Sequence, residues 1–113
     1  MSALRELLEK DSSLIEHVKY QSTDLCLMAV DANGLNLKYV RFQTPAICEV
    51  AVSQNGLALE FVQGYAKTLA VCIKAVKQNP AAVIFAADAS NDEMLMIIRA
   101  VPEVCRYLDH LPA

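Results

Sequence analysis

Thr44-Pro45-Ala46-Ile47-Cys48-Glu49-Val50-Ala51-Val52-Ser53-Gln54-Asn55-Gly56-Leu57-Ala58-Leu59-Glu60-Phe61-Val62 decides the fold, because most of it occurs again on either side. At an offset of 22 toward the N-terminus stand Leu25-Cys26-x-x-Ala29-Val30-x-x-Asn33-Gly34-Leu35-x-Leu37-x-Tyr39-Val40. At an offset of 24 toward the C-terminus stand Val71-Cys72-x-x-Ala75-Val76-x-x-Asn79-Pro80-Ala81-x-Val83-x-Phe85-Ala86, the two extra residues falling in the segment that holds Gly64 and Tyr65. Insertions between copies and identity within them are the mark of a short repeat array. Counting back by 22 places Leu4, Leu7-Leu8, Asp11-Ser12, Ile15 and Val18 in the same slots, and counting forward by 25 from Ala75-Val76 reaches Ala100-Val101. The sequence therefore predicts about five units, worn at both ends.

Each unit reads as two short helices. The first opens on a capping side chain: Ser22 or Thr23, Thr44 with Pro45 at the first helical position, Thr68, and Asn91 or Asp92. Ile47, Cys48, Ala51 and Val52 follow at i, i+1, i+4 and i+5, one apolar face at helical period. Asn-Gly ends it, with Gly34 and Gly56 expected as left-handed C-caps, while Pro80 does the same by pushing Asn79 out of the α region. A second helix of two turns is predicted from Leu57 to Val62, with Leu57, Ala58, Phe61 and Val62 inward. A strand is the alternative for Leu35-x-Leu37-x-Tyr39, whose apolar residues alternate; low β-branched content favours helix.

No unit can fold alone. Ordering its backbone costs roughly 1 to 2 kcal/mol per residue, more than its few apolar side chains return at about 1.5 to 3 kcal/mol each. Stacking at about 8 to 10 Å between helices supplies the remainder and yields a rod or shallow arc some ~40 to 50 Å long. The expected fold class is all-α, a right-handed-type α-solenoid of about five stacked two-helix repeats of 22 to 25 residues, forming one domain over 1–113.

Units reading Ala-Val-x-Gln-Asn-Gly-Leu-Ala-Leu-x-Phe-Val, joined by segments such as Gln43-Thr44-Pro45-Ala46-Ile47-Cys48, resemble a short helical-repeat family of unknown function from bacteria and phages. The likeness covers most of residues 20–101, with Pro80 for Gly and Pro102 directly after Val101 as departures. It implies the fold and carries no activity.

Composition narrows the function. The 113 residues are 55 % hydrophobic with mean hydropathy +0.29, yet no uncharged apolar run approaches the roughly 18 residues of a membrane span. Arg5 and Glu6 enter where a signal peptide would place its apolar stretch, so a cytoplasmic location is expected. A net charge of −3 and a pI near 5.3 argue against nucleic acid as the partner. Cys26, Cys48 and Cys72 lie in matching slots, a helix spacing apart, too far for disulfides or a shared zinc, and read as small buried residues. Cys105, preceded by Pro102-Glu103-Val104 as Cys48 is by Pro45-Ala46-Ile47, is expected to start a final helix and to be the most exposed thiol. His17 and His110 sit at opposite ends of the array, and no nucleophile, phosphate-loop or zinc-protease motif occurs. No catalysis, cofactor or metal is expected.

What remains is recognition. Lys19-Tyr20-Gln21-Ser22 and Arg41-Phe42-Gln43-Thr44 match in register, and Gln63-Gly64-Tyr65 partly continues the row, so one edge is predicted to present Lys19 and Arg41 beside Tyr20, Phe42 and Tyr65. The competing reading folds these aromatics inward and uses Lys19 and Arg41 to offset helix dipoles. First-helix slots that vary between units, Met28 against Val50 and Lys74, and Asp31 against Ser53 and Lys77, are where such an array adapts to a target, with Leu27, Met28 and Val50 as an apolar patch. The expected function is a protein-binding scaffold or adaptor whose partner-binding residues include Lys19, Tyr20, Arg41, Phe42, Tyr65, Met28 and Lys74. The alternatives are a phage or mobile-element inhibitor that blocks a host enzyme or defence complex, and a self-associating structural protein, homodimerising through an apolar end.

Overall fold

The helix–asparagine–helix pattern recurs in the computed structural model, which describes residues 2–108. Helices α1 (Ser2–Lys10), α2 (Thr23–Ala32), α3 (Pro45–Gln54), α4 (Leu69–Gln78) and α5 (Asn91–Ala100) are each followed by a 3-10 helix. These are η1 (Ser12–His17), η2 (Gly34–Tyr39), η3 (Gly56–Phe61), η5 (Pro80–Ala86) and η6 (Pro102–Val104). A short turn η4 (Gly64–Ala66) lies in the longer connection, and α6 (Cys105–Leu108) follows η6. The fold is all-α: among the described residues there is no strand.

The caps explain where each helix starts. Ser22, Thr44 and Thr68 accept hydrogen bonds from the backbone N–H groups of Leu25, Ile47 and Val71, with Pro45 at the first position of α3. For α5 the cap is Ser90, not Asn91 or Asp92. Its hydroxyl accepts from the Glu93 N–H while the Glu93 carboxylate accepts from the Ser90 N–H, a complete capping box. That cap corrects the register of the last unit: Ser90 follows Thr68 by 22, so Ile97, and not Ala100, fills the slot of Ala75. Ile97 is fully buried, Ala100 is exposed, and Val101 is the residue that ends the helix. The Ala-Val match at 100/101 was coincidental.

Asparagine does two jobs at each helix boundary. The Asn33, Asn55 and Asn79 N–H groups close the preceding α-helix on Ala29, Ala51 and Ala75, and their side-chain oxygens accept from Leu35, Leu57 and Ala81, opening the 3-10 helix at 3.0 Å in all three. All three have near-identical extended backbones, φ between −149° and −154°. Asp11 plays the part before η1.

Gly34 and Gly56 are not left-handed caps, since no glycine has positive φ. They are glycines because of close approach. A Cβ on Gly34 would come within 3.0 Å of the Ala51 carbonyl oxygen, and one on Gly56 would meet the Ala75 carbonyl oxygen in the same way.

The second helices are 3-10, which shifts their inner face. At three residues per turn, side chains at i and i+3 eclipse, so Leu37–Val40, Leu59–Val62 and Val83–Ala86 line one buried stripe. Ala58 and Leu59 are buried, whereas Leu57 is 37 % exposed and Phe61 half-buried, against the expected inward Leu57 and Phe61. The Ala-Val pairs at 29/30, 51/52 and 75/76 are all at 0 % exposure. Each helix packs on its neighbour in sequence, α1 on α2 through α4 on α5, while η1, η2, η3 and η5 make a second file alongside. The described residues hold one large core cluster and a smaller one at the N-terminal end built on Leu8, Ile15, Val18, Leu25 and Ala29.

Candidate functional site

The turns between units form the most distinctive surface, and glutamine builds them. Gln21 sends its Nε2 to the carbonyls of Ile15 (2.9 Å) and Tyr39 (2.8 Å) and accepts from the Arg41 N–H (2.9 Å). One unit later Gln43, only 5 % exposed, donates to the Phe61 carbonyl (2.8 Å) and accepts from the Gln63 N–H (2.8 Å). Each glutamine amide thus ties its own turn to the end of the next 3-10 helix. A side chain that carries both a donor and an acceptor can satisfy a carbonyl and an N–H at once, and an amide does this.

The pinning turns the neighbouring side chains outward. Between buried Val18 and inward Gln21, Lys19 and Tyr20 have only solvent to face, and Tyr20 is 80 % exposed. Between buried Val40 and Gln43, Phe42 turns outward in the same way and is 85 % exposed. Tyr65 is exposed too, and its hydroxyl accepts from the Gln43 N–H at 3.1 Å. The aromatics do not fold inward over the helix ends. Arg41 is more restrained: its guanidinium donates to the carbonyls of Val18 and Lys19 (2.8 Å to the latter), bridging to the preceding turn. The Lys19 ammonium lies 5.4 Å from the Tyr20 ring centroid.

Lys19, Tyr20, Gln21, Ser22, Arg41 and Phe42 line one open groove of about 320 Å³. Four of the seven sequence-predicted residues therefore meet, and Tyr65 joins their row through Gln43. Met28 and Lys74 lie elsewhere. Met28 is half-buried against the N-terminal core cluster, and Leu27 and Val50 are half-buried against the larger one, so the expected apolar patch is largely core. Lys74 pairs with Glu49 at 3.5 Å in a shallow groove that also holds Asp31, Val50, Ser53 and Gln54.

The aromatic row stops after the third turn. Lys67 stands where Gln21 and Gln43 stand, and its ammonium donates to the Phe85 carbonyl at 3.1 Å as those amides do to Tyr39 and Phe61. Lysine has no acceptor for a following N–H. The next turn, Ala87-Asp88-Ala89, is built differently, with Ala87 helical and Asp88 3.5 Å from Lys67.

His17 lies exposed beside Glu16 at 3.7 Å, and His110 falls outside the described residues. Among the described residues no three His, Cys, Asp or Glu side chains converge as a metal site. All four cysteines are free thiols, three buried and Cys105 exposed. Burial pushes the Cys48 thiol up to about 11, with Glu49 adding to the effect, and raises Cys26 and Cys72 as well. Such thiols are poor nucleophiles. The glutamine pins were legible as a register match at Gln21 and Gln43, but a lone amide gives no sign of whether it faces in or out.

Comparison with known protein families, with curated proteins and with solved structures finds no match. No helix among the described residues is long and apolar enough to cross a membrane.

Proposed function

We propose that this chain is a protein-binding scaffold or adaptor of bacterial or phage origin, an α-solenoid of about five two-helix repeats working in the cytoplasm without catalysis. The unit-to-unit order of helix contacts and extents of 48 × 22 × 21 Å support the arrangement, the long dimension falling in the range expected from stacking. The observation that carries the functional reading is the pair Tyr20 and Phe42, large aromatic side chains exposed on turns whose backbone the glutamines immobilise. Aromatic groups on rigid supports lose little entropy when covered, which is why they dominate binding energetics at protein interfaces. Arg41 between them, anchored on two carbonyls, keeps the groove's shape in the free protein.

The test compares two baits in extract from the source organism, the natural chain and the double variant Tyr20→Ala/Phe42→Ala, with captured proteins quantified by mass spectrometry. A specific partner depleted at least about tenfold on the variant, a loss of about 1.4 kcal/mol or more, is the expected result when both baits melt at the same temperature. Equal capture by both baits removes the turns from the binding surface.

A further inference from the structure

Three exposed aromatic rings stand one per turn along the edge of the array, Tyr20, Phe42 and Tyr65. From their spacing and surroundings we infer that this edge binds an acidic, proline-rich segment of a partner protein in the polyproline II conformation. The inference names the occupant of the surface proposed above and rests on that reading. Each of the three turns joins two described elements, η1 to α2, η2 to α3 and η3 to α4, so the row lies within the array and not at either end.

Spacing sets the conformation of the occupant. The long dimension of 48 Å shared among five units gives about 10 Å from one turn to the next, the ordinary distance between packed helices. Polyproline II advances about 3.1 Å per residue with three residues per turn, so every third side chain returns to the same face after about 9 Å. A β-strand returns side chains to one face about every 6.6 Å, and so meets the first ring and misses the second. An α-helix matches the spacing about every seven residues, but the lining of the groove selects against it. Lys19, Ser22 and Arg41 line the groove with Tyr20 and Phe42. The Ser22 oxygen accepts from the Leu25 N–H, which leaves the hydroxyl hydrogen to donate. A polyproline II segment has no internal hydrogen bonds and offers its carbonyls to such donors, whereas a helix has already used its own. It is also formed before binding and packs its proline rings on aromatic side chains.

Charge sets the composition. The groove is lined by two cations, Lys19 and Arg41, and by no carboxylate, in a chain whose net charge is −3. Arg41 donates to two carbonyls and Lys19 lies over a ring, so neither charge is neutralised by these contacts. Aspartate or glutamate beside the prolines pairs with both. The next turn carries Asp88 and no aromatic residue, which ends the site. Aromatic residues are concentrated here: of the seven in the chain, Tyr20, Phe42 and Tyr65 stand on these turns, and Tyr39, Phe61 and Phe85 supply the carbonyls that Gln21, Gln43 and Lys67 hold.

Fluorescence anisotropy of the full chain with labelled synthetic probes tests this. The probe is a peptide of four Pro-Pro-Asp triplets, compared with four Gly-Gly-Asp triplets of the same charge, four Pro-Pro-Lys triplets and an oligouridylate of equal length. The Pro-Pro-Asp peptide is expected to bind about tenfold or more tightly than the other three. Its affinity should fall about tenfold in Tyr20→Ala/Phe42→Ala and about threefold in Lys19→Glu, the second loss shrinking as salt is raised. Lys19→Glu, whose native ammonium touches the Tyr20 ring, carries the test should the double variant lower the melting temperature. Equal binding of the Gly-Gly-Asp peptide overturns the polyproline II occupant, tighter binding of the Pro-Pro-Lys peptide overturns the acidic one, and preference for oligouridylate assigns the edge to nucleic acid instead. Pro-Pro-Asp binding that neither variant weakens, or no binding of any probe, also overturns the inference. If the double variant still loses a partner in the bait comparison, the turns remain a binding surface with a different occupant, so the two readings fail separately.

Discussion

The junctions in the middle of the molecule differ from the one near its C-terminal end, and the difference shows what glycine is doing. In the middle, Gly34 meets Gln54 and Gly56 meets Gln78: each glycine N–H donates to the side-chain oxygen of the glutamine that ends the following helix, at 2.6 Å in the first pair. Toward the end, Pro80 replaces glycine and Ala100 replaces glutamine. A proline has no N–H to satisfy, so the glutamine has no partner and alanine suffices. At the other end Ser12 faces the same junction with Ala32, and Ser12 Oγ accepts from the buried Asn36 amide at 2.7 Å. Glutamine occurs at the helix end only where glycine occurs across from it. The tight junction is thus a two-residue device, a missing side chain that admits the neighbouring backbone and an amide that satisfies the N–H so exposed.

The comparison breaks most visibly at the glycine. Gly56→Ala should cost about 3 kcal/mol, the upper end of ordinary overpacking, because the obstacle is the Ala75 carbonyl, fixed by the Asn79 N–H at 2.9 Å. Gly64→Ala, with nothing within 4 Å of its added Cβ, should be neutral or stabilise by a few tenths of a kcal/mol up to about 1 kcal/mol. Urea denaturation of both variants checks this, and equal losses would refute the close-approach argument. Gln78→Ala should cost about 1 to 2 kcal/mol in the same assay by stranding the part-buried Gly56 N–H.

The buried thiol gives a third, pH-dependent effect. Cys48 is raised from 9.0 to about 11 in the folded protein, so the unfolded chain ionises first. Its contribution is intact below pH 9 and declines from there through about 11. The natural chain should therefore lose stability more steeply than Cys48→Ala across that window, with the two profiles parallel at neutral pH. The smallest effect is expected from Ala100→Gln, within about 0.5 kcal/mol of zero, since Pro80 offers no N–H. A gain comparable to the loss in Gln78→Ala would show that glutamine acts by something other than the bond to glycine.

Much of this architecture was readable in advance. The Ala-Val pairs, the Ser and Thr caps and the asparagine boundaries follow from local rules, because a cap needs a short side-chain acceptor and a buried face needs its period. The 3-10 geometry was also present, as the i, i+3 spacing of Leu37 with Val40 and Leu59 with Val62, but two turns of apolar residues fit an α-helix nearly as well. In the last unit the Ala-Val identity at 100/101 points to one register and the Ser-x-x-Glu spacing of Ser90 and Glu93 to another, and the structure follows the second. The register of Lys19-Tyr20 with Arg41-Phe42 is written in the sequence as a row, but the direction of these side chains follows from the inward glutamines Gln21 and Gln43, whose partners lie 18 to 20 residues away.

The amino-acid order by itself determined where most of the α-helices begin and stop and that the Ala-Val pairs at 29/30, 51/52 and 75/76 are interior, since each of these depends on residues within a few positions of one another. Only the folded molecule decided why Gly34 and Gly56 are glycine and why Gln54 and Gln78 oppose them. Those answers depend on backbone and side chains brought together from one unit to the next, and spacing along a single copy carries no record of such encounters.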